Sequence, residues 1–324
     1  MAYCVTCVIP AAREAINDAL EADPLILSYS LEAQLTKLFF EPLQLLVDQG
    51  HFSPGKFPPL VLIDGLDECL DKDAQTNLIQ LLSFSVARYR LPCKFLIASR
   101  PEPHLKSAIS VASERAIISR LELNDDFKPD EDIRRFLTDK FGEIKKCHEF
   151  RSQVPPFWPS EQQIKSLIYK ASGQFIYAAL AMRFINSPCD SPTRQLDIVL
   201  GIRPPINNNL PFAELDALYA YILSCSRDID LVLRILGVHS VFMAMDSNER
   251  IEPVLSLEDG DVGIYLNPLS SLLKVRRNSI AFYHSSFLDF LYSQERSQDY
   301  YIDVRESRAL IVRWVLQAFT CNGK

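Results

Sequence analysis

The sequence predicts an α/β unit, built on part of a parallel sheet, followed by helical segments that run to the C-terminus. Three observations predict it. The apolar run Leu60–Ile63 is bounded by Pro58–Pro59 and Gly65 and reads as a short buried strand. A helical stretch then leads to a second apolar run at 94–98 and a third at 116–121, the alternation expected of parallel strands. Beyond Asn124 such runs give way to helical periodicity interrupted by prolines.

Taken in order, the first 50 residues predict helix. Ser30 is placed to cap a helix whose apolar positions Leu31, Leu35, Leu38, Phe39, Leu45 and Leu46 follow the 3.6-residue period. Pro42 is expected to kink it or end it near Glu41. After the strand at 60–63, a helix is predicted from about Asp71 to Tyr89, with Leu78, Leu82 and Val86 on one face. Pro129 followed by Asp130, Glu131 and Asp132 opens another helix in the manner the helix dipole favours. Its apolar stripe is Ile133, Phe136, Leu137, Phe141 and Ile144. Proline-rich breaks fall at 155–159, 187–192 and 203–210. Helices are predicted near 160–187, 211–226, 229–239 and 303–319, with short helices and one strand, 279–283, between the last two.

Composition narrows the function classes. A chain of 324 residues accommodates about two domains, and 48% hydrophobic with 23% charged residues is an ordinary globular balance. A net charge of −7 argues against a general nucleic-acid binder, because Arg276–Arg277 and Lys145–Lys146 are isolated pairs rather than a phosphate-tracking stripe. No secretory signal and no membrane-crossing run is visible. Eight scattered cysteines fit reduced thiols, so a cytoplasmic location is expected. Cys4 and Cys7 form a lone Cys-x-x-Cys with no second pair, too little for a metal site.

The end of the first strand carries the chemistry. Asp64 follows the apolar run directly, and Asp67 and Glu68 lie within the next turn. Open α/β sheets bind ligands at the C-terminal ends of their strands. There Asp64 suits a Mg²⁺ ion brought in with nucleotide phosphates, and Asp67 or Glu68 could orient a water. The competing reading is an acidic turn that merely follows a core strand.

Four segments together carry a resemblance to a family. Leu-Val-Leu-Ile-Asp-Gly-Leu-Asp-Glu-Cys at 60–69 resembles the Walker B strand of NACHT-type signalling NTPases, especially the fungal NLR-like set. Phe-Leu-Ile-Ala-Ser-Arg-Pro-Glu-Pro at 95–103 resembles their sensor-1 strand. Ala-Ser-Gly-Gln-Phe-Ile-Tyr-Ala-Ala at 171–179 is similar to a helix of their helical domain, and Tyr-His-Ser-Ser-Phe-Leu-Asp-Phe-Leu at 283–291 to the close of their winged-helix domain. The stretch from Ile9–Pro10 to Pro42 resembles the helices placed before Walker B.

The resemblance implies a partial P-loop NTPase sheet over 1–125, a helical domain over 126–205, and a winged-helix-like and terminal helical region over 206–324. It implies a switch between ADP-held and ATP-bound oligomerising states, with Mg²⁺ and ATP or ADP as cofactors. Asp64 would hold Mg²⁺, Asp67 or Glu68 would polarise the attacking water, Arg100 would read the γ-phosphate, and His284 would contact the ADP β-phosphate. Plainer roles stand beside these: Arg100 could pair with Asp67 or Glu68 at the sheet edge, and His284 could be a half-buried core histidine. Gly173-Gln174-Phe175 lacks the proline that many relatives place beside adenine.

A phosphate loop is the missing half. Gly50-His-Phe-Ser-Pro-Gly55-Lys56-Phe57 has the Gly-x₄-Gly-Lys spacing, but Phe57 stands where a Ser or Thr is needed, and Pro58–Pro59 forbids a helix from starting there. The expectation is therefore a truncated or degenerate NACHT-type module that binds nucleotide weakly or not at all and does not hydrolyse it. Its incomplete sheet would present strand edges that invite association with protein partners or a second copy. The alternative is an interaction or assembly module without nucleotide turnover, with DNA binding by the winged helix a distant third.

Overall fold

The computed structural model describes residues 1–52, 60–69, 71–89, 93–114, 118–122, 128–188, 190–204, 212–244, 251–276 and 279–321. The chain divides into two compact units, residues 1–122 and 123–324. Both are dominated by helix, and among the described residues each holds one small two-stranded sheet.

In the first unit, α1 (Ala2–Val8) and α2 (Ala12–Ala22) precede α3 (Leu31–Leu35), where the Ser30 hydroxyl accepts the Ala33 N–H at 3.3 Å as expected of an N-cap. The helix does not end at Pro42. A π-turn, Thr36–Phe40, rewinds the chain directly into α4 (Glu41–Asp48) and accommodates a proline that can neither donate to residue 38 nor pack against its carbonyl. The extra residue in that turn also shifts the helical phase. Phe40, Leu43 and Leu46 become the buried positions, and the predicted Leu45 rotates outward to 46% exposure.

Then come β1 (Leu60–Ile63), α5 (Lys72–Tyr89), β2 (Lys94–Ile97) and α6 (Pro103–Ser113). The strands pair in parallel with Leu60 opposite Lys94 and Ile63 opposite Ile97. Val61, Ile63, Phe95 and Ile97 pack on a core of Phe39, Phe40, Leu43 and Leu82. Leu60, Leu62 and Leu96 form the other face and are 63%, 62% and 53% exposed. The expectation of a fully buried strand is thus corrected: among the described residues, helices cover one face only. On α5 the buried stripe is Gln75, Ile79 and Leu82, and the predicted Val86 is exposed. No third strand forms over the described part of 116–121. Ile118–Leu121 are unpaired, with Leu121 exposed, and a lone segment with no face to bury gains nothing by extending; residues 116 and 117 lie outside the described residues.

The second unit is a helical body: α7 (Pro129–Cys147), α8 (Glu161–Ala171), α9 (Phe175–Ile185), α10 (Pro192–Gly201), α11 (Ala213–Ser224), α12 (Ile229–Ala244), α13 (Ile251–Leu255) and α14 (Asp261–Leu266). An antiparallel hairpin follows, β3 (Leu273–Arg276) with β4 (Ser279–Phe282), and then α15 (Ser286–Leu291), α16 (Gln294–Ser297) and α17 (Val304–Cys321). Periodicity finds β4 but not β3. One apolar cluster runs from Ile133 to Ile311 and buries the predicted stripe of α7. Polar ties fix α11 within it: Lys170 Nζ meets Glu214 at 2.7 Å, and Arg296 donates twice to Asp216. Among the described residues no helix is long and apolar enough to cross a membrane.

Candidate functional site at the strand tips

The carboxyl ends of β1 and β2 are tied together beyond the sheet itself. Ala98 N–H donates to Ile63 O at 2.8 Å, and Leu66 N–H donates to Ala98 O at 3.2 Å. After Asp64 the chain reverses through Gly65 in a left-handed conformation, φ +66°, into the 3₁₀ turn Leu66–Glu68. A Cβ at Gly65 would lie 3.2 Å from Glu68 Cδ, so glycine both permits the turn and leaves room for Glu68 to fold back over it. Leu66 is buried against Ile79 and Leu105 and anchors the turn from below.

The three predicted acids then differ in kind. Asp64 is exposed and makes no hydrogen bond or ion pair with a described residue. Asp67 is engaged on both oxygens. Oδ1 accepts the Arg100 N–H at 2.9 Å and the Ser99 hydroxyl at 3.1 Å, and Oδ2 lies 3.3 Å from Arg100 Nε. Partial burial pushes the Asp67 carboxyl upward. The backbone N–H groups of Arg100 and of Asp67 itself, the Ser99 hydroxyl and the Arg100 charge outweigh it and hold the carboxyl below its ordinary range. Glu68 is exposed. The structure therefore brings Asp67 and Arg100 together as an ion pair, with Asp64 free beside them.

Two residues of this cluster are absent from the sequence reading. Gln75 is buried, and its amide donates to the backbone oxygens of Asp67 at 3.3 Å and Cys69 at 2.6 Å. Its Oε1 lies 2.6 Å from His104 Nε2, on the first turn of α6. Gln75 thus holds the acidic turn from within α5, and His104 fixes the amide's orientation. The signal was present: Gln75 stands on the same helical face as Ile79 and Leu82, a polar residue at a core position.

His284 belongs to the second unit. Its Nδ1 accepts the Ser286 N–H at 3.0 Å and lies 2.8 Å from Ser286 Oγ, which meets the buried Tyr219 hydroxyl at 2.8 Å. The ring is exposed rather than half-buried, and its Nδ1 serves the start of α15. Gly173, φ +76°, closes α8, and a Cβ there would press on Pro129 at 3.3 Å. Gly50 ends α4 with φ +74°, while residues 53–59 of the near phosphate loop lie outside the described residues.

A protein-family model described as Nephrocystin 3, N-terminal, matches residues 1–100. That is under a third of the chain, yet it contains β1, α5, β2 and every strand-tip residue above except His104 and Leu105 of α6. No curated protein and no solved structure matches.

Among the described residues no three His, Cys, Asp or Glu side chains converge on a point that could hold a metal ion. With Asp67 spent on Ser99 and Arg100, Asp64 is the free carboxylate facing solvent at the tip of β1. One monodentate carboxylate suits Mg²⁺ that arrives already ligated by phosphate oxygens and water, and does not suit a free-standing ion.

Proposed function

We propose that this chain is a degenerate module of the NACHT-type signalling NTPases, one that binds Mg²⁺·nucleotide weakly through Asp64 and does not turn it over. The observation that carries this reading is the division of labour at the strand tips. A free carboxylate ends β1 where a parallel pair binds ligands, while Asp67, the nearest candidate to act on water, has both oxygens committed to β2. Arg100 Nε is drawn to the same carboxylate, so a γ-phosphate would compete with Asp67 for it. Under this reading, residues 1–125 derive from a P-loop sheet and 206–324 from a winged-helix region, and His284 steadies α15 rather than a nucleotide.

Isothermal titration of residues 1–324 with Mg²⁺·ATP and Mg²⁺·ADP tests it. Millimolar-range binding that Asp64→Ala weakens severalfold is the expected outcome, with no phosphate release above background. Mg²⁺-dependent turnover that Glu68→Gln abolishes would overturn the non-hydrolytic half.

A second reading, an assembly module with no nucleotide role, is favoured by one observation. The exposed leucine face of β1 and β2 is apolar surface that parallel sheets ordinarily cover.

A further inference from the structure

His239 lies on α12 at 8% exposure, with its ring centroid 5.7 Å from that of Phe282 on β4 and a contact to the Ile280 backbone. Its Nε2 is buried and has no hydrogen-bond partner among the described residues. We infer that His239 is an acid-labile latch, holding the β3–β4 hairpin to α12 while the imidazole is neutral and releasing it when Nε2 takes up a proton.

A neutral imidazole presents one N–H and one lone pair. The orphaned Nε2 is tolerable because an unprotonated nitrogen loses only an acceptor's hydration. Protonation turns that nitrogen into a charged donor with nothing to receive it. Among the described residues, the charged side chains on α12 and the elements around it are Asp230 and Arg234 of α12, Glu252 of α13, Asp261 of α14, Lys274 and Arg276 of β3, Asp289 of α15, and Arg305, Glu306, Arg308 and Arg313 of α17. None of them forms an ion pair with His239, and β4, the strand against the ring, carries no charge. The imidazolium can recover its solvation only if water enters between α12 and the hairpin. The hairpin is the smaller partner: two four-residue strands, continued by the Tyr283 N–H to Leu272 O bond at 3.0 Å.

Burial lowers the pKa of His239, and the Ile280 backbone opposes this only in part. The folded state therefore binds fewer protons than the unfolded chain. The stabilisation is complete above the ordinary imidazole range and is lost as pH falls through it toward the lower folded value.

The test uses full-length 1–324. Imidazole carbon resonances are followed from pH 8 to 5, with His239 assigned by its loss in His239→Gln, and hairpin amide exchange is measured at pH 7.5 and 5.5 after correction for intrinsic rates. His239 should titrate below the ordinary imidazole range, the direction in which its burial pushes it. Protection over residues 273–282 should fall severalfold more on acidification than protection over α9, and His239→Gln should abolish the excess. If the variant fails to fold, the wild-type resonance and the hairpin-against-α9 comparison still decide. A His239 that titrates within or above the ordinary imidazole range, or a hairpin that loosens only in step with α9, would overturn the inference.

Discussion

At the scale of single residues, Asp67 shows how a candidate catalytic acid becomes a clamp. The Ser99 hydroxyl and the Arg100 N–H and guanidinium all converge on it from the end of β2. Arg100 is about half exposed, so solvent screens the ionic part, and the backbone and hydroxyl hydrogen bonds carry most of the effect. Asp67→Asn should therefore cost about 1–2 kcal/mol of stability at neutral pH, read by urea unfolding. The Asp67 carboxyl is held below its ordinary range, so its contribution is complete above the unfolded value and fades as pH falls through the folded one. The gap between wild type and Asp67→Asn should begin to narrow only as pH falls below the ordinary carboxylate range and close below the lower folded value; a gap that stays constant throughout the acid limb would show that charge plays no part. Asp64, Asp67 and Glu68 could be picked from the sequence because each lies in one short run. Gln75 left only the trace of a polar residue on an apolar face, and its pairing with His104 left none, because it depends on α5 and α6 bringing residues 29 positions apart to 2.6 Å.

At the scale of elements, two helices show how one residue sets a packing geometry. Gly237 of α12 faces α17, and a Cβ there would collide with Ser307 Oγ and lie 3.3 Å from Ile302 Cγ2. The glycine is what lets α12 and α17 approach so closely. Gly237→Ala should destabilise the second unit by about 1–3 kcal/mol, and adding Ser307→Ala should recover part of that loss in thermal unfolding. Equal stability of Gly237→Ala and wild type would mean that Ser307 yields to the added methyl group at no cost. In α3–α4, periodicity identified the helix, and Ser30 identified its start. It did not foresee the π-turn, because a phase slip of one residue follows from Pro42 and the core together and not from apolar spacing alone.

At the scale of the molecule, the parallel pair stands out because it is covered on one side. Leu60, Leu62 and Leu96 expose apolar area that would be stabilised by burial at roughly 25 cal/mol per Å². If the assembly reading holds, Leu62→Lys should shift sedimentation of concentrated 1–324 toward the monomer while leaving its unfolding midpoint nearly unchanged, since Leu62 packs little in the monomer. Unchanged self-association in the variant would remove this face from consideration.

The sequence by itself determined the helical character of the chain, the two short strands at 60–63 and 94–97, the β4 strand, the core stripe of α7 and the placement of acids at a strand end. Each of these rests on local spacing, capping or turn chemistry, which neighbours in the chain supply. Tertiary structure alone decided that Asp67 holds Arg100 and Ser99, that Gln75 and His104 brace the acidic turn, that β3 pairs with β4, that 118–121 stays unpaired among the described residues, and that Leu60, Leu62 and Leu96 on one face of the β1–β2 pair are exposed. Those outcomes depend on which elements meet in space, and such meetings leave no periodic trace in the order of the amino acids.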